Sequence, residues 1–314
     1  DGIDPDGCKD LRIANSTIET GDDAICFYSM NWFGPALPCE NITVTNCRLS
    51  SASSAIKFCD GNMNAVRNVT ITNCVIAGAN RGIAFMNFDG GVVSDVVISN
   101  VVIDTVRHAY FWWGDGDPLH FNIKRRSEVH KSVKPGTDAP AGVIRRVLIS
   151  NVIARGQGSS VINGHPDSWL EDITLDNVRL YLTSDPKAPY DKAVHALDIS
   201  RVRNLTLRAV EVNWGQPSSA TWQSALNVQE AANVTIDGFG GRQAGKAASA
   251  AIVLARVQGA NVQNCRAPDG TGTFLRVSGR DTRDVSIGEN DFSRAREAVA
   301  VTGEVAKDAV RRRR

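Results

Sequence analysis

The chain has 314 residues, 42% of them apolar, and a formal net charge of +1. That is ample material for a buried core, and the near-neutral balance gives no bulk electrostatic case for a nucleic-acid or membrane partner. No apolar run approaches the roughly 20 residues a membrane helix needs, and seven cysteines without a CxxC indicate neither a zinc site nor a full disulfide framework.

The chain opens abruptly on Asp1-Gly2-Ile3-Asp4, inside what reads as a motif and without a signal peptide. A mature form or fragment is expected, with N-terminal coils, and with them any export signal, missing. The next acidic feature is Gly21-Asp22-Asp23, at the mouth of the apolar run Ala24-Ile25-Cys26-Phe27. Alone, two aspartates after a glycine mark a solvated turn. Their register with Asp1, one repeat earlier, changes that reading.

The repeat begins with Leu11-Arg12-Ile13-Ala14-Asn15-Ser16. It returns as Ile42-Thr43-Val44-Thr45-Asn46-Cys47, Val69-Thr70-Ile71-Thr72-Asn73-Cys74 and Val96-Val97-Ile98-Ser99-Asn100-Val101. Further copies lie around Asn151 and Asn177, with weaker ones at 205–207, 234–236, 262–265 and 285–287. The interval is 27 residues (46 to 73, 73 to 100), inside the range of about 20–50 that signals a solenoid. Each copy alternates apolar with polar residues and is rich in Val, Ile and Thr, which is strand chemistry. Helical periodicity is absent except near Ala295–Val301. A second strand is expected after most copies, at 24–27, 55–58, 82–85, 109–112, 161–163, 196–199, 225–228 and 250–254. Stacked coils of this kind predict an all-β, single-stranded parallel β-helix of about ten coils over residues 1–305, with a basic tail at 306–314.

The recurring Asn reads as an asparagine ladder at one turn, with Ser16, Cys47 and Cys74 stacked inside the next position. The N-glycosylation patterns at Asn41, Asn68, Asn204 and Asn233 arise because a turn Asn precedes each Val/Ile-x-Thr strand. Aligning Ile25 with Ile56 and Ile83, and Phe27 with Phe58 and Phe85, gives two inward stacks. Alternation then points Cys26, Lys57 and Ala84 outward, along with Tyr28, Cys59 and Met86. Asp22, Asp23 and Asp1 converge on the same face, along a groove suited to a linear polymer.

Asp1-Gly2-Ile3-Asp4 followed, 21 residues from Asp1, by Gly21-Asp22-Asp23-Ala24-Ile25 resembles glycoside hydrolase family 28, the polygalacturonase group. Ser53-Ser54-Ala55-Ile56-Lys57-Phe58, Asn80-Arg81-Gly82-Ile83, Asp89-Gly90-Gly91, Trp112-Trp113-Gly114 and Gly164-His165-Pro166 resemble its bacterial members, so the likeness covers roughly residues 1–180. It implies a right-handed, pectin-lyase-like β-helix. It also implies an inverting hydrolysis in which Asp22 is the general acid while Asp1 and Asp23 hold and activate water, with no metal or other cofactor. Such chemistry needs one protonated and one ionised carboxyl group, about 6.5–9.5 Å apart when a water stands between them and the sugar, and crowding drives the acidities of neighbouring carboxyl groups apart.

Two departures bear on the substrate. The family's Gly-His-Gly is replaced by Ser53-Ser54-Ala55, and its Arg-Ile-Lys by Ala84-Phe85-Met86, so plain polygalacturonate loses its usual cationic contacts. Lys57 and Arg81 are candidate replacements. The interval from Asn100 to Asn151 reads as a two-coil length with one insertion. It carries His108 as a hydrogen-bonding candidate and Trp112 and Trp113 as a cleft wall for sugar faces. His120 and His165 are weaker candidates of the same kind. The expected protein is a secreted or periplasmic monomer cleaving a pectic, galacturonate-containing polysaccharide or oligosaccharide of the plant cell wall. A calcium-dependent polysaccharide lyase built on Asp22, Asp23 and Lys57, and a non-catalytic glycan-binding β-helix, remain open alternatives.

Overall fold

The computed structural model describes residues 1–108, 114–185, 193–245 and 250–312. Its strands join in parallel throughout, each coil lying on the one before. The alternation seen in the repeat becomes a continuous core column. Ile13 pairs in register with Val44, then Ile71, Ile98, Ile149, Leu175, Leu207, Ile236, Val262 and Ile287, all of them buried. The fold is a parallel β-helix, as the repeat predicts.

The second stack carries the large side chains. Phe27, Phe58, Phe85 and Phe121 are fully buried and lie in register. Their ring centroids are 5.1, 4.2 and 4.3 Å apart, spacings at which aromatic rings attract beyond simple burial. Ile25, Ile56, Ile83 and Leu119 form the neighbouring column.

The corners are set by asparagine. Asn15, Asn46, Asn73, Asn100, Asn151 and Asn177 all have φ between 52° and 56°, the left-handed region that Asn tolerates better than most residues. Their amides bond between coils, as from Asn151 to Asn100 at 3.1 Å and Asn177 to Asn151 at 2.9 Å. A second ladder uses residues of the glycosylation patterns: Asn68 donates to Asn41 at 3.1 Å and Asn233 to Asn204 at 3.1 Å. Cys47 and Cys74 are buried beside the first ladder, and all seven cysteines are free thiols.

Four expectations change. First, the interval from Asn100 to Asn151 is one coil with a long excursion, because Val92–Thr105 pairs directly with Val143–Gly156. Second, that coil's inner strand is Asp117–Ile123, with Leu119 and Phe121 in the Ile and Phe columns; residues 109–112, expected there, lie outside the described residues. Third, Cys59 does not face outward like Met86. It sits where the register slips between Phe27 and Ser29, at φ 33°, with its side chain in the core, as the extra residue of a bulge does. Fourth, Ala295–Thr302 is a strand paired with Thr271–Ser278 rather than a helix. Beyond residue 305, Val310–Arg312 still pairs with Arg283–Ile287. A helix of one turn, Arg126–Val129, lies in the excursion.

Candidate active site

Four consecutive rungs build the site. Ile3 bridges to Ile25, Ile25–Ser29 pairs with Ser54–Asn62, and that strand pairs with Arg81–Asn87. The first rung is pinned by Gly2 and Ile3, whose amides donate to the carbonyls of Asp23 and Ala24 at 2.9 and 3.0 Å. Gly2 is required by this approach: a Cβ there would lie 2.4 Å from the Ala24 carbonyl oxygen. Asp1 is thereby brought beside the turn that carries Asp22 and Asp23.

The three carboxylates converge. One oxygen from each lies within 4.8 Å of the other two. This is tighter than the acid–base separation expected from the chemistry, and the cause is local. The Asp23 amide donates to Oδ1 of Asp1 at 3.1 Å and to Oδ1 of Asp22 at 3.0 Å, drawing both toward one N–H.

They differ in environment. Asp1 is exposed, Asp22 half-buried and Asp23 2% exposed. Asp23 is also fully engaged: Oδ1 accepts from the Ser53 hydroxyl at 2.8 Å and the Ser54 amide at 3.0 Å, while Oδ2 pairs with Lys57 Nζ at 2.7 Å. Lys57 lies a further 3.5 Å from Asp60. Burial works against the Lys57 charge, but Cys26, Asp60 and Asp23 outweigh it and raise its pKa. Burial keeps the Cys26 thiol neutral, so the two carboxylates carry that effect. Asp4, a fourth carboxyl group near the cluster, is raised by burial and then by Asp23.

These residues line a cavity of about 170 Å³, together with Tyr28, Asp60, Arg81, Met86, Phe88, Val129 and His130. Arg81 is buried, and its Nη1 lies 3.3 Å from the Met86 sulfur. Its Nε lacks an acceptor and lies 3.9 Å from Asp117. Burial lowers its pKa, with Asp117 and Asp23 opposing. Behind it, Asp117 also takes a hydrogen bond at 3.1 Å from His120, whose pKa is lowered by burial and then by Arg81.

Of the residues singled out in the sequence, Asp1, Asp22, Asp23, Lys57 and Arg81 therefore meet in one cavity. Lys57 is committed to Asp23 instead of projecting free toward a ligand. His108 does not line the cavity; its Nε2 donates to the Gly78 carbonyl at 2.8 Å. Trp112 and Trp113 lie outside the described residues. His165 is buried and holds Glu128 at 3.1 Å. Sequence reasoning placed Tyr28 and Met86 on this face and Ser53 in the motif without naming them as site residues, and it missed Asp60, Phe88, Val129 and His130. Alternation was the signal that put Tyr28 there, and Asp60 follows a position read the same way; nothing local marks Val129 or His130.

The excursion also explains the lost Arg-Ile-Lys. Ala84, Met86 and Phe88 form a small buried cluster on the outer face of Arg81–Asn87, and Val129 packs on it. Cations on this face would be buried beneath the one-turn helix, so apolar residues stand there.

No curated protein matches the chain. Among solved structures, the A-module of mannuronan C-5 epimerase AlgE4 from Azotobacter vinelandii is similar at 11% identity and a TM-score of 0.39, over 95% of this chain and 80% of that one; a likeness this loose carries no argument. The family model for glycosyl hydrolases family 28 matches residues 1–111, the stretch that contains Asp1, Asp22, Asp23, Lys57 and Arg81, and over that stretch the resemblance read from the motif holds.

Proposed function

We propose that the protein is a glycoside hydrolase acting on a galacturonate-containing pectic glycan, with Asp22 as general acid and Asp1 as the carboxylate that activates water. The observation that carries this reading is the convergence of three carboxylates in one cavity with a buried, under-satisfied guanidinium. Among the described residues Asp22 and Asp1 keep oxygens free of side-chain cations, whereas Asp23 is consumed by Lys57 and two donors. Asp23 then acts by fixing Asp1 and Asp22 through its amide, and Lys57 offsets the charge that three crowded carboxylates would otherwise accumulate. Arg81 is the cation left to meet a substrate carboxylate, in the paired geometry guanidinium favours. Inversion rests on the family resemblance, not on the spacing.

The cavity is small beside the about 300–1,000 Å³ of common ligand pockets, which favours a short oligomer or a chain end over the middle of a polymer. Activity outside the cytoplasm, as a monomer, fits such a substrate. The lyase alternative is disfavoured by Lys57. A base that abstracts a proton must be neutral, and this ammonium is held protonated.

The test is digestion of a panel of pectic polysaccharides and oligosaccharides, with the product anomer followed by proton NMR and unsaturated products by ultraviolet absorbance. Hydrolysis with an inverted anomer supports the reading. Unsaturated, calcium-dependent products, or no cleavage of any member, would sink it.

A further inference from the structure

His130 lines the carboxylate cavity although it lies over 100 residues from Asp22 in sequence. It arrives on the excursion between Asp117–Ile123 and Val143–Gly156. The coil itself brings no imidazole, since Ser53 and Ser54 occupy the positions beside Asp23.

The excursion is firmly placed. Arg126 bonds Asp89 through Nε at 3.0 Å and again through Nη2, and Nη2 also donates to the Asp60 carbonyl at 2.5 Å. Its guanidinium lies 5.5 Å from the centre of the Phe88 ring. On the far side, Arg125 pairs with Asp167 at 2.7 Å and Glu128 with His165 at 3.1 Å. The His130 amide closes the helical turn onto the Arg126 carbonyl at 2.9 Å.

One nitrogen of the imidazole has a partner that favours a single tautomer. Arg126 Nη1 lies 3.2 Å from His130 Nε2. A guanidinium has donors and no acceptor, so Nε2 must be the accepting nitrogen. That contact selects the tautomer with the proton on Nδ1. Among the described residues no protein group takes that proton. The ring is exposed, so no packing role accounts for it, and the rest of the helix is held without it.

We infer that His130 is a substrate-contacting residue, its Nδ1–H donating to an oxygen of the sugar bound over Asp1 and Asp22 while Arg126 holds the tautomer. The inference rests on the glycan reading of the cavity, but it does not require that the glycan be hydrolysed. A neutral donor suits a hydroxyl or ring oxygen, leaving the carboxylate of a uronate to Arg81.

The experiment uses the full chain carrying Asp22→Asn, so that ligand persists, and galacturonate oligosaccharides and rhamnogalacturonan oligosaccharides as probes in calorimetric titration. Adding His130→Ala should weaken binding about 3- to 10-fold, the range for one neutral hydrogen bond, with an unchanged melting temperature; His130→Asn, which restores an amide donor near the Nδ1 position, should recover part of it. Histidine 15N spectra should show His130 protonated at Nδ1 and shifted by the bound oligosaccharide. Equal affinity of the Asp22→Asn proteins with and without His130 overturns the inference while leaving the hydrolase reading intact. Weakened binding by His130→Ala in a chain whose parent hydrolyses nothing sinks the hydrolase reading and upholds the contact. If no probe binds, or the His130 ring carries its proton on Nε2, the inference fails.

Discussion

Lys57 Nζ stands 2.7 Å from Asp23 Oδ2, and both side chains are nearly sealed from solvent. The strand Ser54–Asn62 thus brings its own cation to the acidic turn of the coil below. Removing one partner of a buried pair leaves the other charge without compensation, which costs about 3–5 kcal/mol. Lys57→Met is expected to lower stability on that scale in denaturant unfolding, while Lys57→Met with Asp23→Leu should recover much of it. A loss under about 0.5 kcal/mol for the single variant, the usual range of a surface substitution, would show that the pair is not buried in solution.

Asp22→Asn removes the proposed proton donor without changing side-chain size. General acid catalysis contributes about 10²–10⁴-fold, so kcat on the best pectic substrate should fall by that factor with KM little changed. Because the proposed chemistry uses no metal, a chelator should leave the parent rate unaltered. Unchanged turnover in the variant would remove Asp22 from the acid role.

Asp95 and Arg146 form a two-bond pair on the outer face, at 2.6 and 2.8 Å. Hydrogen bonding to Arg146 draws the Asp95 carboxyl from its ordinary 3.8 down to about 2. The folded pKa lies below the unfolded one, so the pair's contribution is present above about pH 4 and disappears as pH falls toward 2. Solvent screening limits it to about 1 kcal/mol or less. Carbon-detected NMR titration of Arg146→Met should return the Asp95 pKa to the ordinary carboxylate range, and the difference in stability between variant and parent should vanish at acid pH.

Phe58 lies between Phe27 and Phe85 under the site. Phe58→Ala opens a cavity in the middle of the column and should cost about 3–5 kcal/mol, measured by urea unfolding. Phe58→Leu, closer in volume, should cost less. Equal stability of Phe58→Ala and parent would mean that the column relaxes to fill the gap.

The solenoid was legible because its physics is periodic. The Ile and Phe columns and the asparagine corners each repeat one residue type at one interval, so a single alignment exposes them, and the acidic cluster follows by placing Asp1 under Asp22. What stayed hidden departs from the period. Cys59 is an extra residue at a bulge, and the outward assignment made by strict alternation fails there. The coil with the excursion was misread because its Leu119-x-Phe121 signal lies well past the expected position, behind residues 109–113. Lys57 was placed on the correct face, but its commitment to Asp23 depends on a distance that no spacing encodes. His130 reaches the cavity through tertiary anchoring by Arg126, Asp89 and Phe88.

The direct pairing of Val92–Thr105 with Val143–Gly156 gives the excursion a particular independence. The coil-to-coil pairing continues beneath it, its ends tied in where the Lys124 amide donates to the Asn87 carbonyl at 3.2 Å and the Ser168 hydroxyl to the Gly142 carbonyl at 2.7 Å, and lengthening such a surface connection costs little chain entropy. Residues 124–142 can therefore be exchanged or reshaped while the carboxylates stay where the coils hold them. The carboxylates are placed by the repeat, whereas His130 and Val129 reach the cavity on a segment outside it, so this part of the cavity wall can vary without moving the acidic cluster.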